Sequence, residues 1–236
     1  MLDDSSNRLI WIAVGLALIF GMFETYNGTI PKIIESVTST TQATIPVEHT
    51  AYAYSADGTD RFSTVYPNLN LLSGSTKYTK DSPKIVTSNK SDNDFHINDV
   101  YVKNLKAGTY TMSGEADAPW CDHSSTDRQE KVGLWLVSTT PNLDVNINLG
   151  KTVPKTFNVP KDGDYEVRVN TYSDDSTLVT HKFWNFKLEQ GSTATTWMPS
   201  GSEVKDSDYP TFVGTYTDHS LSASNDPTKY TWKERN

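Results

Sequence analysis

WNFKLEQGSTATTW, residues 184–197, places a carboxylate, an amide, small hydroxyl residues and two tryptophans in fourteen positions. Such a set reads either as a sugar-binding or catalytic patch, or as the last strand of a β domain with its exit turn. Parity favours the strand. Trp184, Phe186 and Leu188 share one face of an extended segment and are expected to point into a core, which removes Trp184 as a sugar platform. Gly191 and the hydroxyl run after it then turn the chain out toward Trp197 and Pro199, leaving Glu189 as the member with a functional claim.

Upstream, short alternating runs separated by Gly, Pro, Asn and Asp repeat the pattern. They are KIVTS (84–88), DFHINDVYV (94–102), GTYTMSGEADA (108–118), KVGLWLVS (131–138), LDVNINL (143–149), TFNVP (156–160), DYEVRVNTY (164–172) and LVTHKFWNFKLEQ (178–190). Eight or so strands of this kind predict an all-β protein built as a jelly-roll β-sandwich. The apolar set Tyr110, Met112, Leu134, Leu136, Val145, Ile147, Val167, Val169, Phe186 and Leu188 is expected between the sheets. AYAYSAD (51–57, ending in a tight-turn Asp57-Gly58), TFVGTYTD (211–218) and KYTW (229–232) read as three further strands. These are expected to pair as a small flanking sheet, residues 50–66 with 200–236, into which the jelly roll of residues 67–199 is inserted.

With 236 residues, 36% hydrophobic and 11% aromatic, the chain is long enough for one good core plus appendages. Its net charge of -8, with Lys and Arg dispersed, excludes nucleic acid as an expected partner, because phosphate tracking needs a clustered basic face. The single Cys121 rules out an intrachain disulfide framework.

LIWIAVGLALIFGMF, residues 9–23, is an uninterrupted apolar run that as a helix spans roughly 22 Å against a hydrocarbon core of roughly 30 Å. Residues 1–35 are read as an apolar helix that anchors the chain in a membrane, with the bulk of the chain outside. A signal peptide and a buried or oligomerising helix are the competing readings. Asp3 and Asp4 stand where a signal peptide has basic residues, and apolar residues on every face argue against a buried soluble helix. Residues 36–49, rich in hydroxyl side chains, read as a spacer.

The blocks AYAYSADGTDRFSTVYPNLNLL (51–72), AGTYTMSG (107–114), DGDYEVRVNTY (162–172), FKLEQGSTATTWMPS (186–200) and YPTFVGTYTDHSLSASNDPTKYTW (209–232) resemble tail-tip and minor structural proteins of phages infecting Gram-positive bacteria. The resemblance implies a jelly roll similar to carbohydrate-binding modules, set between short β elements. It also implies a structural calcium ion where the first and last strands meet, with Asn70, Asp94 or Glu189 as ligands.

A sugar site on a sandwich needs aromatic faces for stacking on C–H groups, with carboxylate, amide or guanidinium groups for the hydroxyls. The outward parity set supplies Glu115 and Asp117 on one strand, Trp135 on the next, and Arg168, Asn170 and Tyr172 on another, with Arg168 expected to pair with Glu115 or Asp117. An ordinary solvated sheet face is the competing reading. Trp120, in the loop APWCDHSSTDRQE, is a second aromatic candidate; closing over the sandwich edge is its alternative role. Cys121 and His123 lack the further spaced ligands that zinc requires and the oriented base that a thiol nucleophile requires. Glu115, Asp117 and Glu189 are the candidates for paired-carboxylate hydrolysis, with nothing to mark a raised pKa.

These observations predict a non-enzymatic adhesion protein of phage or prophage origin. It is expected to bind a cell-surface or exopolysaccharide glycan while tethered through residues 9–23. The alternative is a virion tail or baseplate component, a possible homo-oligomer, in which the jelly roll is a spacer.

Overall fold

The computed structural model describes residues 45–174 and 176–235. The apolar segment 9–23, the proposed helix of residues 1–35 and most of the spacer lie outside the described residues. Among the described residues, no helix is long and apolar enough to cross a membrane.

Eight of the eleven strands among the described residues make a sandwich: β2 (Lys84–Ser88), β3 (Asn93–Leu105), β4 (Gly108–Ala116), β5 (Val132–Ser138), β6 (Asn146–Asn148), β7 (Lys155–Val159), β8 (Gly163–Thr171) and β9 (Val179–Gln190). They form two four-stranded antiparallel sheets, ordered β2-β9-β4-β7 and β3-β8-β5-β6. The pairs β2–β9, β3–β8, β4–β7 and β5–β6 nest around the central β5–β6 connection. Alternation explains which faces meet: Tyr110, Met112, Leu134, Leu136, Val145, Val167, Val169, Phe186 and Leu188 are all buried in one cluster, with Ile147 packed at its margin. Each such side chain contributes about 1.5–3 kcal/mol when removed from water.

Parity fails along β3, where the register against β8 shifts twice, and again between β4 and β9. Ser113 pairs with Lys187 and Glu115 with Trp184, so Asn185 and Phe186 on β9 face only Gly114 on β4. Two residues opposite one make a β-bulge, and Asn185 takes the left-handed conformation (φ 54°) that Asn tolerates. The extra residue sends Phe183 and Phe186 both into the core and turns Trp184 outward, where its indole Nε1 donates to Glu115 at 3.0 Å. The core position expected for Trp184 is thus corrected.

The outer face of β9 beyond the bulge is covered by the chain leaving the sandwich. Lys187, fully buried, donates from Nζ to the Thr195 hydroxyl (2.6 Å) and the Thr196 carbonyl (2.8 Å), and lies 3.4 Å from Glu189. Glu189 accepts from the Thr195 N–H (2.9 Å) and hydroxyl (2.7 Å), and from the Asn68 amide (3.2 Å). Burial pushes the Lys187 ammonium below its ordinary range, against the opposing attraction of Glu189. The entering chain is tied at the same place. Leu71 N–H donates to the Leu188 carbonyl, Asn70 N–H to the Pro199 carbonyl, and the buried Asn70 side chain bonds both Phe186 and Leu188 backbone.

The strands at the chain ends, β1 (Val47–Ala53), β10 (Phe212–Asp218) and β11 (Thr231–Glu234), form a three-stranded sheet in the order β1-β10-β11. Val47, Glu48 and His49, read from the sequence as the end of a spacer, are strand. By compactness the chain divides into Met1–His49 with Tyr216–Ala223, and Thr50–Thr215 with Ser224–Asn236. In the first unit the His49 ring stacks on Tyr216 at 4.8 Å and its Nε2 bonds Asp218 at 3.0 Å. In the second, the Trp232 indole lies across Gly58 and Gly214, where an added Cβ would stand 2.1 Å and 2.9 Å from the ring. Gly58 also needs its φ of 76°, so only glycine serves both the turn and the close approach.

Asp57 in the same turn accepts from the Ser55 hydroxyl, the Thr59 N–H and the Thr59 hydroxyl, which together hold its carboxyl down at about 2. A carboxyl with a depressed folded pKa adds stability above its unfolded value of 3.8, and that stability disappears as pH falls toward about 2. The thermal-midpoint gap between the native chain and Asp57→Asn should therefore shrink across that window; a gap independent of pH would contradict the assignment. For the clasp on β9, Lys187→Met alone is expected to cost about 3–5 kcal/mol by chemical denaturation, because it leaves Glu189 buried without its cation. The double change with Glu189→Leu should cost less than Lys187→Met alone.

Candidate functional site

The outward residues of the β3-β8-β5-β6 sheet come together, though not as an open groove. Trp135 on β5 is opposite Arg168 on β8, and the Arg168 guanidinium stacks over its ring at 4.2 Å. The Arg128 guanidinium covers the Tyr172 ring at 4.8 Å, and His123 meets the Trp135 ring edge-on at 5.2 Å. Both covering residues come from the β4–β5 connection, residues 117–131. Trp135 is only 7% exposed and Tyr172 and Asn170 not at all.

Asp92, just before β3, ties this cover to the sheet. It accepts from Arg128 (2.9 Å) and from the Asn170 amide (2.8 Å), and stands 3.3 Å from His123 Nδ1. Asp94 accepts from the Asn170 amide at 2.6 Å and lies 3.5 Å from Arg168. Burial pushes the Tyr172 hydroxyl and the Cys121 thiol above their ordinary ranges, so both stay protonated near neutrality. A protonated, buried Cys121 has none of the thiolate character a nucleophile needs. Gly133 lies beneath the cluster: a Cβ there would come 2.7 Å from the Tyr172 hydroxyl and 3.2 Å from Trp135 Nε1.

Glu115 and Asp117 are not part of this face. Glu115 is on β4, in the opposite sheet, and Asp117, the next residue after that strand, is tied to β9, so Arg168 pairs with Asp94 in place of either carboxylate expected from the sequence. Glu115 is held by Trp184 and Asn185, and Asp117 by His181 (3.2 Å) and the Lys182 N–H (3.0 Å). Trp120 packs against the core, its ring 6.0 Å from Phe183.

The expected calcium set does not converge either. Asn70 and Glu189 both lie along β9 and are bonded to the protein, while Asp94 sits on β3 in the other sheet. Among the described residues, no group of three or more His, Cys, Asp or Glu is placed to hold a metal ion.

Sequence reading missed Asp92 and Arg128, and weighed His123 only for metal or nucleophile chemistry, because their pairing joins two loops and leaves no periodic trace. It also missed Lys187 as a buried cation. One signal was available for the bulge: Phe183 and Phe186, three apart around an Asn, cannot share a face of a regular strand.

No protein-family model matches the chain, and no curated protein matches it. Among solved structures, the likeness is to a phage tail baseplate component. The matching chain is in the structure of the tripod (BppUct-A-L) from the baseplate of bacteriophage Tuc2009. It is 29% identical, with 81% of this chain and 79% of that chain covered and a TM-score of 0.59. That match supports a relation to phage tail and baseplate proteins.

Gly133→Ala is expected to cost about 1–3 kcal/mol by displacing Tyr172 from beneath Arg128. Gly201→Ala, where the new methyl would meet only Leu69 at 3.8 Å, is the matched control. Equal denaturation midpoints for the two variants would show that Gly133 does not carry the cluster.

Proposed function

We propose that this protein is a structural component of a phage tail baseplate, without catalytic activity of its own. The observation that carries this reading is the match to a baseplate chain over 81% of the sequence at 29% identity. Residues 67–199 make up only a little over half of the chain, so a match of that extent reaches beyond the sandwich. The nested strand pairs support describing the sandwich as a jelly roll inserted between the strands of the end sheet. A partner in this reading is another baseplate protein or a further copy of the same chain.

The closed face supports a structural role over the adhesion role expected from sequence. A glycan-binding aromatic needs a free ring, and the rings of Trp135 and Tyr172 are stacked under guanidinium groups and buried. Glu115, Asp117 and Glu189 also belong to three separate hydrogen-bond networks, which gives paired-carboxylate hydrolysis no support.

Mass spectrometry of purified phage particles tests the reading. Peptides from residues 45–235 should appear in particles in proportion to other tail proteins, and should be absent from carbonate-washed host membranes. Recovery in the washed membranes and not in particles would instead establish the tether through residues 9–23.

A further inference from the structure

The four edges of the sandwich are not alike. In the orders β2-β9-β4-β7 and β3-β8-β5-β6, the outermost strands each have a strand neighbour on one side only. Such a strand presents a row of unpaired N–H and C=O groups, which proteins keep from pairing with another chain by shortening, bulging, covering or polar side chains. β6 is three residues long. β3 shifts register twice against β8, and Tyr101 on it exchanges backbone hydrogen bonds with Ser73 of the entering chain. The exposed residues of β7, Thr156 and Asn158, are polar, and the Thr156 hydroxyl donates to the Ser192 carbonyl of the exit segment.

β2 has none of these protections. KIVTS pairs with β9 in unbroken register, from Lys84 with Phe183 to Ser88 with Val179. Among the described residues no strand lies along its other side. Its outward residue Ile85 is 57% exposed, and Leu178, one residue before the Val179–Ser88 pair, is 68% exposed.

The strand is also complementary to itself. Set antiparallel about Val86, a second copy would place Ile85 beside Thr87 and Lys84 beside Ser88, each twice by symmetry. No like charges meet along that shared edge. The same register carries Asp81, exposed before the strand, toward Lys90, exposed after it, at both ends of the contact. We propose that β2 is a docking edge for β2 of a second copy of this chain, joining the two β2-β9-β4-β7 sheets into one across a two-fold axis at Val86. The free backbone groups call for a strand, and the flanking charges select this one. A five-residue edge makes a small contact, so the pairing is reversible and concentration-dependent. It does not rest on the baseplate reading.

Sedimentation velocity of the full chain over a concentration series tests it. The native chain should self-associate, and Ile85→Lys should raise the dissociation constant about tenfold or more, since both copies lose an apolar contact. Thermal melting should be unchanged in that variant, because Ile85 is already exposed. Leu221→Lys, an equally exposed apolar position outside the sandwich, should leave association as it was. Asp81→Lys and Lys90→Asp should each weaken self-association, and an equal mixture of the two variants should associate again, since every flanking contact then joins opposite charges. A chain monomeric throughout the series overturns the edge. So does association indifferent to Ile85→Lys, as one carried by residues 9–23 would be, or a mixture of the charge reversals that stays as weak as either alone. A monomeric chain recovered from particles would overturn the edge and leave the baseplate reading standing.

Discussion

The buried pair Lys187 and Glu189 is the constraint on which the arrangement of the sandwich depends. A cation and an anion two residues apart point to the same side of β9, and both side chains are buried. Burying two charges costs several kcal/mol each unless their remaining donors and acceptors are met. Here they are met by the chain itself: Thr195 and Thr196 from the exit segment and Asn68 from the entry segment. Satisfying the pair therefore fixes where the chain enters and leaves the sandwich, and Asn70 repeats the attachment one step further along.

With the exit segment fixed, Trp197 and Thr195 stand over β4 and β9 as a wall, and the bulge at Asn185 supplies the facing residues. One residue in a left-handed conformation reverses the direction of Trp184 and so orients Glu115. The two outer faces of the sandwich differ for this reason. One is sealed by a loop whose Arg128 covers Tyr172 and whose His123 meets Trp135 edge-on, both held by Asp92. The other keeps an oriented carboxylate exposed next to an anchored indole.

Much of the fold was legible. KIVTS coincides with β2, and the alternation in Tyr110/Met112, Leu134/Leu136 and Val167/Val169 identified the core, because a period of two assigns faces without knowledge of partners. The candidate site was legible only in part. Trp135, Arg168, Asn170 and Tyr172 do share one face, since β5 and β8 are neighbours. Glu115 and Asp117 were grouped with them on parity alone, and parity says which side of a strand a residue takes but not which sheet the strand joins.

The sequence by itself determined the strands, their inward faces and the glycines demanded by tight turns, since these follow from local sterics and from hydrophobic periodicity. Tertiary structure alone decided which strands became neighbours, that Lys187 would be buried, and that Trp184 would turn outward. Those outcomes depend on contacts between segments distant in the chain: Asn68 with Glu189, Asp92 with Arg128, and Gly114 opposite two residues of β9. The physical reason is that a desolvated charge or a bulge is stable only once its partners are in place, and the partners arrive through the fold.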